Sequence, residues 1–148
     1  VQIKFEVLGK VRGKARARTM KNGFSFTPAE TVNYENLIKV SFQDALANAG
    51  VEMAPYMAVI PIKMSIRAIF MLGDSAPKKM KEAILYDEPP CLKAPDTDNI
   101  CKIICDALNK VGYADDRQVY DVQILKVWGP VEKVEVTLDY QTDIGVFR

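Results

Sequence analysis

The sequence predicts an α+β fold: one small domain in which a mixed, mostly antiparallel sheet packs against helices. Two observations carry this. Residues 1–8, 58–72, 118–128 and 131–140 alternate apolar and polar side chains, the period of half-buried strands. Residues 28–49 and 98–111 instead repeat their apolar positions every three or four residues, the period of helices. At 148 residues the chain fits one domain, 1–148, long enough to bury a sizeable core.

Each element has its own signal. Residues 1–8 are rich in β-formers. Residues 9–23 carry three glycines and place Lys10, Arg12, Lys14, Arg16 and Arg18 on every second position. An extended backbone would point all five to one side, a geometry suited to a row of phosphates; disorder in the absence of a ligand is the alternative. Thr27-Pro28-Ala29-Glu30 reads as a helix start, with a capping hydroxyl, a proline at the first position and a glutamate at the third. Tyr34, Leu37, Ile38, Ser41, Phe42, Ala45, Leu46 and Ala49 then follow at helical spacing until Gly50 ends the helix.

In residues 58–72, Ile60, Ile62, Met64, Ile66, Ala68, Phe70 and Leu72 alternate, and Pro61 places the strand's start at an edge or bulge. Ser75-Ala76-Pro77 caps a short helix over 78–85, and residues 87–95, with three prolines, form a loop. Over 98–111 the apolar residues cover most of the circumference, which predicts a largely buried helix. Asn99, Lys102, Asp106 and Asn109 make its polar stripe, and Asp98 stands one turn before Lys102, close enough to pair. The last two alternating segments, joined by Gly129-Pro130, read as a hairpin.

Composition narrows the class. The chain is 49% hydrophobic and 26% charged, as soluble globular proteins are. Its most apolar stretch is interrupted by Lys63, Ser65 and Arg67, so no membrane span is expected. No signal-peptide pattern opens the chain, and a cytoplasmic setting is expected. The net charge of +1 conceals an asymmetry: the first 29 residues hold seven basic side chains against Glu6 alone. That separation points to a polyanionic partner. Cys91, Cys101 and Cys105 are odd in number and suggest reduced packing thiols rather than a disulfide framework. With no histidine and no CxxC pair, zinc is not expected.

The chemistry concentrates around the helix over 98–111. Asp96 and Asp98 precede it, Lys102 and Asp106 lie on it, and Asp115-Asp116 follow it. Carboxylates gathered in this way repel one another, and a hard divalent cation relieves the repulsion through oxygen ligands. Such a cation can activate water and stabilise charge in phosphodiester cleavage. Each residue has a plainer reading as well. A lone acid before a helix is usually an N-cap, two adjacent aspartates are usually a turn, and Asp106 fits a structural role better than a catalytic one. The second acid, Lys102 and the distant pair together favour the functional reading. Spacing alone does not bring Asp116 back to Asp98.

Pro95-Asp96-Thr97-Asp98-Asn99, Lys102, Asp106-Ala107-Leu108-Asn109 and Asp115-Asp116-Arg117-Gln118-Val119 resemble, in order and spacing, the motifs of the RusA family of Holliday junction resolvases. Gly13-Lys14-Ala15-Arg16-Ala17-Arg18 and Gly23-Phe24-Ser25-Phe26-Thr27-Pro28 are similar to that family's amino-terminal stretches, with Ala15 and Ala17 where prolines are usual. Lys78-Lys79-Met80-Lys81 matches a basic helix ahead of the acidic motif. The resemblance implies a mixed α/β homodimer that cleaves four-way DNA junctions by paired nicks with Mg²⁺, Mn²⁺ being able to substitute. It implies catalytic, metal-binding roles for Asp96, Asp98 and Asp116, a catalytic lysine at Lys102, and a further candidate ligand at Asp115. Lys14, Arg16, Arg18, Lys21 and Lys93 are the candidate DNA contacts. No small-molecule cofactor and no membrane partner are implied, and the source would be bacterial or phage.

Two rival readings differ in class. One is a module that binds branched DNA without cutting it. The other is a glycosyltransferase whose D-x-D holds a nucleotide diphosphate, but the chain lacks a nucleotide-binding βαβ pattern.

Overall fold

The computed structural model describes residues 1–53 and 59–144. In chain order the elements are β1 (Gln2–Leu8), β2 (Arg18–Thr19), β3 (Ser25–Phe26), α1 (Ala29–Ala49), β4 (Ile62–Met71), α2 (Lys78–Tyr86), α3 (Thr97–Leu108), a 3₁₀ turn (Asp116–Gln118), β5 (Val119–Gly129) and β6 (Lys133–Tyr140). The α+β prediction holds: a mixed four-stranded sheet ordered β1-β6-β4-β5 packs against helices, and β2-β3 form a small separate ribbon. The predicted strand over 58–72 is observed from Ile62, and its expected start at Ala58 lies outside the described residues.

The sheet is two-sided in the way its alternation dictates. Ile3, Phe5 and Val7 face Leu138, Val136 and Val134 across the β1–β6 ladder, and all six are buried. Met64, Ile66 and Ala68 continue that apolar face on β4. Helices α1 and α3 lie side by side over it. Tyr34, Ile38 and Phe42 of α1 meet Ile100, Ile103, Ile104, Ala107 and Leu108 of α3 in one core, with Phe5 and Phe42 edge to face at 5.7 Å. The opposite face is polar: Arg67 pairs with Glu88 and Glu135, and Lys133 with Glu6.

The predicted hairpin is not formed. β5 and β6 are separated by β4, which pairs parallel with β5 and antiparallel with β6. β4 is the central strand, hydrogen-bonded along both edges; Met64, Ile66, Ala68 and Phe70 are buried on its core face and Ile69 on the other, while Lys63 and Ser65 stay exposed. The link after β5 therefore crosses the end of β4, where Glu132 accepts hydrogen bonds from the Met71 N–H at 3.1 Å and the Val11 N–H at 3.0 Å. Those bonds satisfy donors at the crossing point. A parallel pair needs a long connection, and the β4-to-β5 connection contains α2, α3 and the whole acidic motif.

Smaller corrections concern helix ends. Pro28 itself occupies the N-cap position of α1, Thr27 supplies no capping bond, and Glu30 pairs with Arg12 instead. Gly50 ends α1 in the left-handed region at φ 65°, as expected. Leu37 and Ala49 stay exposed, so the buried stripe of α1 is narrower than the periodicity implied. α3 stops at Leu108, and Lys110 turns the chain at φ 67°. Residues 89–91 run along the outer edge of β5, with the Cys91 N–H donating to the Lys126 carbonyl at 3.0 Å and the Trp128 N–H to the Pro89 carbonyl at 2.9 Å. They shield part of an otherwise open edge and deliver the chain to α3.

Candidate active site

Helix α3 organises the site. Asp96 holds its N-cap position with extended backbone, yet its carboxylate makes no capping hydrogen bond. The plain N-cap reading of Asp96 therefore lacks its defining contact. Asp98 lies in the first turn, where a negative charge is favoured by the helix dipole. Asp96, Asp98 and Asp116 are all exposed, and among the described residues none of their carboxylates takes part in an ion pair or side-chain hydrogen bond.

The structure separates the two aspartates of the pair. Asp115 caps the 3₁₀ turn: its carboxylate accepts from the Arg117 N–H at 2.9 Å and from Arg117 Nε at 3.0 Å. Gln118 closes the box by accepting from the Asp115 N–H at 3.0 Å. The hydrogen bonds from Arg117 hold the Asp115 carboxyl below its ordinary pKa. Among the described residues, the Asp116 carboxylate is left unengaged.

The turn also brings Asp116 back to α3. The 3₁₀ turn that carries it packs against that helix. Asp98, Cys101 and Cys105, spaced three and four residues apart, share one side of α3. Among the described residues, no three acids or thiols form a ready-made metal cage.

The other polar side of α3 belongs to lysines. Asp106 Oδ2 stands 3.3 Å from Lys102 Nζ and 3.1 Å from Lys14 Nζ. The expected Asp98–Lys102 pairing is not made; Lys102 turns to Asp106, which fits the structural reading of that acid, and its side chain remains 63% exposed. Lys14 also reaches Glu35 of α1 at 2.5 Å. Burial opposes the Lys14 charge, but its hydrogen bonds to Glu35 and Asp106 outweigh that penalty and raise its pKa above the ordinary value.

The row of five cations is broken. Residues 11–17 form no strand, Arg12 pairs with Glu30 at 3.2 Å, and Lys14 points into the Glu35–Asp106 pair. Arg16, Arg18 and Lys21 are exposed and make no ion pair among the described residues; Lys93 is likewise exposed beside the acidic motif. The arm is nevertheless fixed to α3. The Lys14 N–H donates to the Asn99 carbonyl at 2.9 Å. A Cβ at Gly13 would stand 2.9 Å from both Asn99 Cβ and Pro95 Cβ, so only glycine lets the backbone pass this close.

Glu35 and Glu132 are the polar partners that sequence reasoning missed. Glu35 sits between Tyr34 and Ile38 at the margin of a buried stripe, a position that solvated acids also occupy. Tyr113 is fully buried, its hydroxyl donating to the Cys105 carbonyl at 2.8 Å.

The sequence model of the family described as endodeoxyribonuclease RusA matches residues 5–139, from β1 through most of β6. The chain belongs to the RusA family. A comparison with curated proteins gave no match. As a RusA-family endodeoxyribonuclease, the protein is an enzyme of the Holliday junction resolvase class, with branched DNA as its substrate. Nucleases of the RusA family are generally dependent on divalent metal. No helix among the described residues is long and apolar enough to cross a membrane.

Proposed function

We propose that this RusA-family enzyme resolves four-way DNA junctions by paired, symmetric nicks that require Mg²⁺, with Asp96, Asp98 and Asp116 as the cation's protein ligands. One observation supports this above the others: three carboxylates around α3 carry no partner among the described residues, while their neighbours Asp106 and Asp115 are both engaged. Unpaired, exposed carboxylates offer the oxygen donors that a hard cation takes. Among the described residues these acids do not close a cage by themselves, and waters and substrate phosphate oxygens would complete the shell of the ion.

When bound, the ion would act as a Lewis acid on the phosphate and lower the pKa of a water. The chain's own residues do the remaining work. Lys102, held at one end of the acidic motif by Asp106, places positive charge where the leaving oxygen develops its charge. Arg16, Arg18, Lys21 and Lys93 hold phosphates and give affinity without sequence information. Lys14 contributes by fixing the arm rather than by meeting DNA. A two-fold homodimer would set two such sites on symmetry-related strands, which gives paired cuts.

The test separates cutting from binding. Asp98→Asn and Asp116→Asn should bind a synthetic four-way junction as the parent does and leave it uncut in Mg²⁺. Cleavage retained by both variants would remove these carboxylates from the chemistry. A parent that binds the junction but leaves it intact whichever divalent metal is supplied would favour a non-catalytic branched-DNA-binding role.

A further inference from the structure

Three sulfur atoms meet between α3 and β4. Cys101 Sγ and Cys105 Sγ are 3.9 Å apart, and Cys105 Sγ is 4.0 Å from Met64 Sδ. Both thiols are free. Met64 is buried at 2% exposure, whereas the cysteines are partly open, so the cluster has an apolar floor and an accessible mouth. An ion bonded to sulfur at about 2.3 Å in trigonal geometry holds its ligands about 4.0 Å apart. The Cys101–Cys105 and Cys105–Met64 separations both match that spacing.

We propose that Cys101, Cys105 and Met64 form a binding site for one soft cation of the copper(I) class, distinct from the carboxylate site. Thiolate and thioether together select such ions, while carboxylates select hard ones. The two thiols release their protons to solvent as the ion binds. With both thiols deprotonated around a monovalent ion, the filled cluster carries one unit of negative charge.

The test uses copper(I) alone, kept reduced and anaerobic, in competition with a chromogenic chelator. The parent should take up one equivalent. Cys101→Ser, Cys105→Ser and the volume-conserving Met64→Leu should each bind at least about 10-fold more weakly, since even outer-shell partners of a metal are worth that much. Cys91→Ser, at a buried cysteine outside the cluster, should bind as the parent does. Circular dichroism of each variant excludes misfolding as the cause of a loss. Affinity unchanged in Met64→Leu and both α3 variants, or lost in Cys91→Ser alone, would overturn the site.

Discussion

The Lys14 ammonium stands 3.1 Å from the Asp106 carboxylate, which joins the amino-terminal arm to the helix that carries the acidic motif. Glu35 holds the same ammonium from α1, so the arm, α1 and α3 meet at one side chain. This contact fixes where Arg16 and Arg18 emerge relative to Asp96 and Asp98. It makes Lys14 a positioning residue.

Removing the lysine should therefore be felt as stability and as placement. Lys14→Met leaves Glu35 without its cation and Asp106 with Lys102 alone. The side chains are partly exposed, so the loss should be about 1–2 kcal/mol, below the cost of breaking a fully buried pair. Urea denaturation measures it. In a double-mutant cycle with Asp106→Asn, the combined loss should be smaller than the sum of the two single losses.

The pH dependence of that difference has a definite sign. The Lys14 pKa is raised in the folded state, so its contribution is present in full below the unfolded lysine value of 10.5 and is lost as pH rises through the folded value. The stability gap between the parent and Lys14→Met should stay constant through neutral pH and shrink above the ordinary lysine range. A gap that grows in alkali would contradict the pairing.

Gly13→Ala tests the close approach of the arm to α3. Its Cβ would stand 2.9 Å from the side chains of Asn99 and Pro95. Overpacking of this kind costs about 1–3 kcal/mol, or the arm lifts and the Lys14 N–H gives up its bond to Asn99. Hydrogen exchange at the Lys14 amide distinguishes the two, and either should weaken junction binding.

Arg16→Ala with Arg18→Ala should lower junction affinity with little change in the cleavage rate at saturating enzyme. The salt dependence of binding should flatten by about 0.9 in logarithmic slope for each phosphate that the arginines no longer neutralise. The same double substitution leaving both affinity and salt slope untouched would remove these arginines from the DNA surface.

Much of the fold was legible because alternation and helical spacing are local. β1, α1, β4 and α3 stand close to their expected positions, and so does the core face of β6. The strand order was not legible. A three-residue link over 130–132 reads as a hairpin turn, and nothing local reveals that β4 pairs along both of its edges. The acidic motif was legible as a set, yet the difference between Asp115 and Asp116 was not. That difference depends on Arg117 and on a 3₁₀ turn whose cap takes one carboxylate and frees the other. The regular spacing of Lys10 to Arg18 suggested a uniform cationic row, but Glu30, Glu35 and Asp106 reach two of its members from distant elements.

Mapping the cut positions on an immobile four-way junction, with Mg²⁺ and with EDTA, tests the central claim most directly. Nicks should fall at symmetry-related positions on opposing strands, present with Mg²⁺, absent with EDTA, and abolished by Asp116→Asn while Asp115→Asn still cuts. Nicks that persist in EDTA, or that survive Asp116→Asn unchanged, would contradict it.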